Sequence, residues 1–203
     1  MNPIRLALIF TGHGERDALP ILIRRVAEVV DPGLSVEIVH RRRSPESKRQ
    51  AGELEPAVER AARQLGGRGG ILILMDSDWD EACPAKDGPM ILNKARSVRP
   101  DLPLSVVLAH KEYEAWFIAA AESLRGKRGI SEQIESAPDP EAIRNAKGWL
   151  SDHMPPNRPY APVTDQPALT ALFDFDQARR GSGSFDKCYR EVVALLTTLR
   201  NQR

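Results

Sequence analysis

Five apolar residues, Ile71-Leu72-Ile73-Leu74-Met75, run uninterrupted from a glycine pair, Gly69-Gly70, into Asp76-Ser77-Asp78-Trp79-Asp80-Glu81. A strand with one wet face alternates apolar and polar side chains. A strand apolar at every position has to be covered on both faces, the condition of a central strand in a parallel sheet. The run is also cut off by acids, so whatever covers the strand gives way to carboxylates at its carboxyl end.

The rest of the first half supplies partners for such a strand. Ile4 to Phe10, Ser35 to His40 and Leu104 to Ala109 are short apolar or alternating runs. Between them lie stretches with apolar residues at helical spacing: Ala18, Leu19, Ile21, Leu22, Val26 and Val29/Val30; Leu54, Val58, Ala61/Ala62 and Leu65 within 47–65; 88–98; and 112–124. Asp31-Pro32-Gly33 and the glycines from Gly66 to Gly70 punctuate the alternation. Strand alternating with helix predicts an α/β fold, a mostly parallel central sheet of about four strands with helices on both faces.

After Leu124 the pattern changes to helical stretches near 140–152, 167–179 and 184–200, with four prolines in ten residues between Met154 and Val163. That segment is expected to be irregular loop. The expectation is one domain over 1–203, with an α/β core at 1–124 and a C-terminal helical appendage at 125–203. Hydrophobic residues make up 41% and charged residues 28%, a balance that excludes a disordered chain. The formal net charge of +1 means that any polyanion binding must come from a local patch. The apolar run near the N-terminus is far below the ~18 residues of a membrane span. Cys83 and Cys188 form no CxxC pair. A cytoplasmic protein without a membrane partner is the expectation.

Ligands of open α/β sheets collect at the carboxyl ends of strands. Asp76 and Asp78, two residues apart, point the same way if extended geometry persists. Crowded carboxylates raise each other's pKa unless a cation neutralises them. A hard divalent ion, Mg²⁺ or Mn²⁺, answers that need with few carboxylates and several waters. Asp80 is a further, outer candidate. Phe10-Thr11-Gly12-His13-Gly14-Glu15 closes the first strand, and its glycines permit close backbone approach. Glu15 there, and Glu112 at the end of the fourth strand, are candidates for the general base or a further ligand. Arg41-Arg42-Arg43 follows the second strand as a candidate phosphate contact.

The order of these features resembles the TOPRIM fold of topoisomerases, primases and nucleases, in which a glutamate after the first strand works with a DxD pair after the third around Mg²⁺. More closely, GHGERDALPILIRR, LILMDSDWDEACP, VVLAHKEYEAWFIAAAESLRG, TDQPAL and SGSF resemble the TOPRIM-like family catalogued as domain of unknown function 4276. The resemblance implies a Mg²⁺-dependent phosphodiesterase acting on nucleic acid, with Asp76 and Asp78 as ligands. It also brings forward Lys147, Tyr160, Asp165 and Gln166 as residues that contact phosphate or position a substrate. The chain departs from the pattern at Thr11, where family members carry glutamate; Glu15 is a frequent acid of the family and a partial substitute. A threonine offers only a neutral hydroxyl. The departure motivates an alternative: a regulatory subunit that kept the fold, partnered with an ATPase in a bacterial defence module.

Overall fold

The computed structural model describes residues 2–43, 52–79 and 81–202. The core is built as β1 (Ile4–Phe10), α1 (Glu15–Val30), β2 (Val36–Arg43), α2 (Leu54–Leu65), β3 (Gly70–Ser77), α3 (Pro84–Val98) and β4 (Leu104–His110). The four strands form one sheet in the order β2-β1-β3-β4, with every pairing parallel. The sheet is therefore α/β, as the alternation predicts, and β3 is an inner strand flanked by β1 and β4.

Alternation along the strands divides the core into two layers. Leu6, Leu8, Phe10, Leu72, Leu74 and Val107 face α1 and the C-terminal helix. Ala7, Ile9, Ile71, Ile73 and Val106 face α2 and α3. This is why β3 tolerates no polar residue before Asp76: each of its side chains meets a helix. Helix α2 stops at Gly66, whose φ of 63° is the left-handed conformation glycine adopts without cost; its N–H closes on the Ala62 and Arg63 carbonyls.

The C-terminal part adds a short helix α4 (Ala115–Ala119) with a 3-10 turn at Ala121–Leu124, then α5 (Ala146–Asp152), α6 (Pro162–Thr170), α7 (Phe175–Gly181) and α8 (Gly183–Asn201). Its apolar residues merge with the α1 side of the sheet in one buried cluster that runs from Ile4 to Leu199. At its centre Tyr113, Trp116, Phe117, Phe173 and Phe185 stack with tilted and edge-on rings 4.4–5.5 Å apart. The Trp116 indole N–H, buried with them, donates to Ser184 Oγ at 2.9 Å.

Several boundaries differ from expectation, among them the start of α3, at Pro84 rather than 88, and the helix expected over 112–124, which is α4 at Ala115–Ala119 followed by a 3-10 turn. Strand β2 runs through Arg43 rather than ending at His40, because an edge strand can carry arginines that reach solvent. Helix α2 begins at Leu54 after a non-helical Gly52-Glu53, and the earlier part of its expected span falls at 44–51, outside the described residues. The proline-rich segment is not wholly irregular: Pro162 starts α6 at a position that has no N–H to lose. The single helix expected over 167–179 is two, since the Asp174 carboxylate caps α7 through the Gln177 N–H at 2.7 Å. Among the described residues no helix is long and apolar enough to cross a membrane.

Candidate functional site

Strand order 2-1-3-4 reverses direction between β1 and β3. The crossovers leaving those strands go to opposite faces, so a crevice opens at their carboxyl ends. Thr11 follows β1 directly and Asp76 is the penultimate residue of β3. The Asp76 N–H donates to Thr11 Oγ1 at 3.0 Å, which ties the two strand ends together. From the other side β4 supplies the next contact. Ser77 Oγ donates to Ala109 O at 2.7 Å and accepts the Lys111 N–H at 3.2 Å, while Lys111 takes a left-handed φ of 65°. That turn brings the Tyr113 N–H onto Asp76 Oδ1 at 2.9 Å. Asp76 is thus fixed by three strand ends and is buried.

Glu15 enters from the first residue of α1 and is 3% exposed. Two glycines make this possible. A side chain at Gly12 would collide with the Glu15 carboxylate, and one at Gly14 would collide with the Gln166 amide. Gln166, on α6, donates its Nε2–H to Glu15 Oε1 at 3.3 Å. The other oxygen, Oε2, is buried with no hydrogen-bond partner among the described residues. A carboxylate oxygen left so is costly and calls for a proton or a cation.

A third acid, Glu114, stands 1% exposed in the same interior. Its Oε1 accepts from the Tyr160 hydroxyl at 3.0 Å, and its Oε2 lies 3.2 Å from Lys147 Nζ. Lys147 also bonds Glu112 Oε1 at 2.8 Å, and Glu112 Oε2 accepts the Ala146 N–H at 2.7 Å. The appendage thereby contributes Lys147, Tyr160 and Gln166 to the polar groups around the strand ends.

Three buried carboxylates share one amine, and their acidities show it. Burial, then the Glu15 and Glu114 charges, push Asp76 well above the carboxylate range, against the pull of Lys147. Burial raises Glu15, with Glu114 adding to it. Glu114 is raised by burial although Lys147 pulls it down. Burial works against the Lys147 ammonium, but Glu114, the bond to Glu112 and Asp76 outweigh it and raise its pKa.

Of the residues singled out in the sequence, Glu15 and Asp76 meet here, with Lys147, Tyr160 and Gln166 of the appendage around them. Glu112 turns instead to Lys147, which is occupied by two carboxylates. Asp78 lies exposed past the end of β3, where its side chain has no hydrogen bond or ion pair among the described residues; Asp80 lies outside them. Arg41 pairs with Asp17 at 3.2 Å, Arg43 Nε donates to Thr11 O at 2.7 Å, and Arg42 Nε is buried with no partner among the described residues. Asp165 accepts from Arg158 at 2.7 Å and from the Ala161 N–H at 2.9 Å, which anchors the start of α6. Glu114 is the functional candidate that the spacing does not reveal. Its signal is an acid wedged among Tyr113, Trp116 and Phe117, where solvent cannot solvate it.

Among the described residues no three His, Cys, Asp or Glu side chains stand ready to hold a metal ion together. Glu114 is drawn aside by Tyr160 and Lys147, which leaves Glu15 and Asp76 as the neighbouring pair without a cation of their own. Mg²⁺ needs only one or two carboxylates, with water or phosphate for the rest.

Comparison with curated proteins gives no match, and comparison with solved structures gives none either. One family model does match, over residues 12–192, from the glycine turn before Glu15 into α8. That span takes in every side chain of the centre except Thr11, and the chain belongs to the family described as a domain of unknown function, DUF4276.

Proposed function

We propose that the Glu15–Asp76 pair is the Mg²⁺ (or Mn²⁺) site of a TOPRIM-like phosphodiesterase that acts on nucleic acid. The observation that carries this reading is the buried, unpartnered Glu15 Oε2 beside an Asp76 whose pKa is pushed up by burial and by two neighbouring acids. Glu15 and Asp76 would hold the cation, and Asp78 at the rim is within the same strand end to assist. When bound, such an ion supplies Lewis-acid polarisation of a phosphoryl oxygen and a nucleophilic water.

The chain's own residues do the positioning. Tyr113 N–H and Thr11 Oγ1 fix Asp76. Gln166 orients Glu15 through Oε1 and leaves Oε2 for the ligand. Glu114 holds Lys147 in place, and the Lys147 ammonium offsets negative charge near the centre. The buried aromatic cluster behind Tyr113 excludes water from the rear of the site.

A second reading rests on Thr11. Its hydroxyl is spent on the Asp76 N–H, so the position where the resemblance implies a glutamate does structural work instead. On that reading the chain binds the ion and acts as a regulatory subunit beside an ATPase in a defence module. The two are separated by incubating supercoiled DNA and single-stranded RNA with the protein in Mg²⁺ or Mn²⁺. Metal-dependent nicking or cleavage, lost in Asp76→Asn and Glu15→Gln, supports the phosphodiesterase. Metal binding without cleavage supports the regulatory subunit.

A further inference from the structure

Strand β2 contains an irregularity that re-aims its arginines. Leu6 of β1 pairs with Ile38, but Ala7 pairs with His40, so Val39 is an extra residue. Side-by-side residues of paired strands share a face. Beyond the bulge Arg41 pairs with Leu8 and Arg43 with Phe10, both on the α1 side, while His40 and Arg42 pair with Ala7 and Ile9 on the α2 side. Strict alternation from Ile38 would have given the opposite result. The contacts agree. Arg41 reaches Asp17 and Arg43 reaches the Thr11 carbonyl, whereas His40 has its pKa lowered by burial and then by Arg42 and Arg60 of α2.

Of the re-aimed arginines Arg41 lines a groove of about 610 Å³ between α1, β2 and α6, with His13, Arg16, Asp17 and Val163. Its lining residues His13 and Arg16 flank Glu15 of the carboxylate centre in sequence. Arg16 follows Glu15 in sequence, and Arg43 bonds the carbonyl of the same Thr11 whose hydroxyl takes the Asp76 N–H. Helix α1 contributes one more detail. Pro20 has no N–H to give the Arg16 carbonyl, and Arg41 Nη1 donates to that oxygen at 3.4 Å. Arg16 itself is exposed and pairs with no carboxylate among the described residues.

Charge decides the occupant. A second copy pairing along the β2 edge would bring the Arg41–Arg43 runs against one another, an arrangement that like charges oppose. A polyanion in this groove meets Arg16 and Arg41, with Asp17 as the one acid among the described residues that line it. We propose that this groove binds the phosphodiester backbone of a nucleic-acid strand and leads it to Glu15 and Asp76. The inference rests on the reading of that centre given above and names the path of its substrate.

The test is anisotropy of fluorescein-labelled oligodeoxynucleotide and oligoribonucleotide with the full chain in EDTA, where cleavage plays no part. Arg16→Ala and Arg41→Ala should each weaken binding roughly three- to tenfold. Each should also flatten the slope of log K against log salt by about 0.7 for a single strand. Asp17→Asn should tighten binding, because it removes the opposing charge and releases Arg41. Arg68→Ala, at the other end of the sheet, should change nothing, and Glu15→Gln should still bind. The preferred oligonucleotide tells DNA from RNA. Absence of binding by the native chain overturns the proposal, as do groove variants that bind like the native chain. Equal competition by polyglutamate would also overturn it, in favour of an acidic protein. Loss of groove binding with metal binding intact defeats only the groove; groove binding with no metal binding defeats only the centre.

Discussion

Asp76 places its backbone N–H on Thr11 and one carboxylate oxygen on Tyr113, yet its charge has no private partner. Replacing it with asparagine keeps an acceptor for the Tyr113 N–H and removes one of three crowded negative charges. Asp76→Asn should therefore raise the stability of the metal-free protein near neutral pH by about 0.5–2 kcal/mol, read from urea denaturation. A destabilised variant would mean that Asp76 already has its neutralising partner within the chain. Gly12→Ala tests the geometry at Glu15. A methyl there collides with the carboxylate, so this variant should lose metal-induced stabilisation while keeping the α/β fold by circular dichroism. Unchanged metal response in Gly12→Ala would show that Glu15 Oε2 is not where the ligand binds. Glu114 marks the limit of what sequence reveals at this scale. Glu112 and Glu114 both lie between the end of β4 and the start of α4, and only the turn through Lys111 decides which of them faces inward.

Among the elements, the four strands were readable because burial on both faces leaves an uninterrupted apolar run, as in β3, or a strict alternation. The end of β2 was not readable in this way. Three arginines look like loop until the edge position and the Val39 bulge give them somewhere to go. The helices of the appendage were readable as helical but not in their breaks, because caps such as Asp174 act through one hydrogen bond rather than through periodicity. Helix α5 buries Ala146 and Leu150 in the apolar cluster and is tied to the strand ends by Lys147, which joins Glu112 and Glu114. Lys147→Met leaves the buried Glu114 facing Asp76 and Glu15 without its cation. Stability should fall by roughly 1–3 kcal/mol at neutral pH, less than for a fully buried pair because the Lys147 side chain is 38% exposed. The loss should shrink as pH falls and Glu114 takes up a proton. A loss independent of pH would mean that α5 is held by packing alone.

For the whole molecule, one buried cluster joins sheet and appendage, so charge crowded at the strand ends is felt as global stability. Asp76, Glu15 and Glu114 have folded-state pKa values above their unfolded ones. The folded state then binds more protons than the unfolded state above the ordinary carboxylate range, and stability falls as pH rises through that window. The metal-free protein should melt higher near pH 5 than near pH 7. His40, whose pKa is lowered by burial, acts in the opposite sense below its unfolded value but is one group against three. Half-buried Asp186, lowered by its bond to Arg179, does so only below the ordinary carboxylate range. Asp76→Asn should flatten the trend. At saturating Mg²⁺, near 100 times the dissociation constant, the native protein should gain about 2.7 kcal/mol.

The most direct measurement is calorimetric titration of Mn²⁺ into the native chain and into Asp76→Asn at neutral pH. The account predicts a binding heat in the native protein that disappears in Asp76→Asn, although that variant is the more stable of the two without metal. No binding heat in the native chain, or an undiminished one in Asp76→Asn, would contradict it.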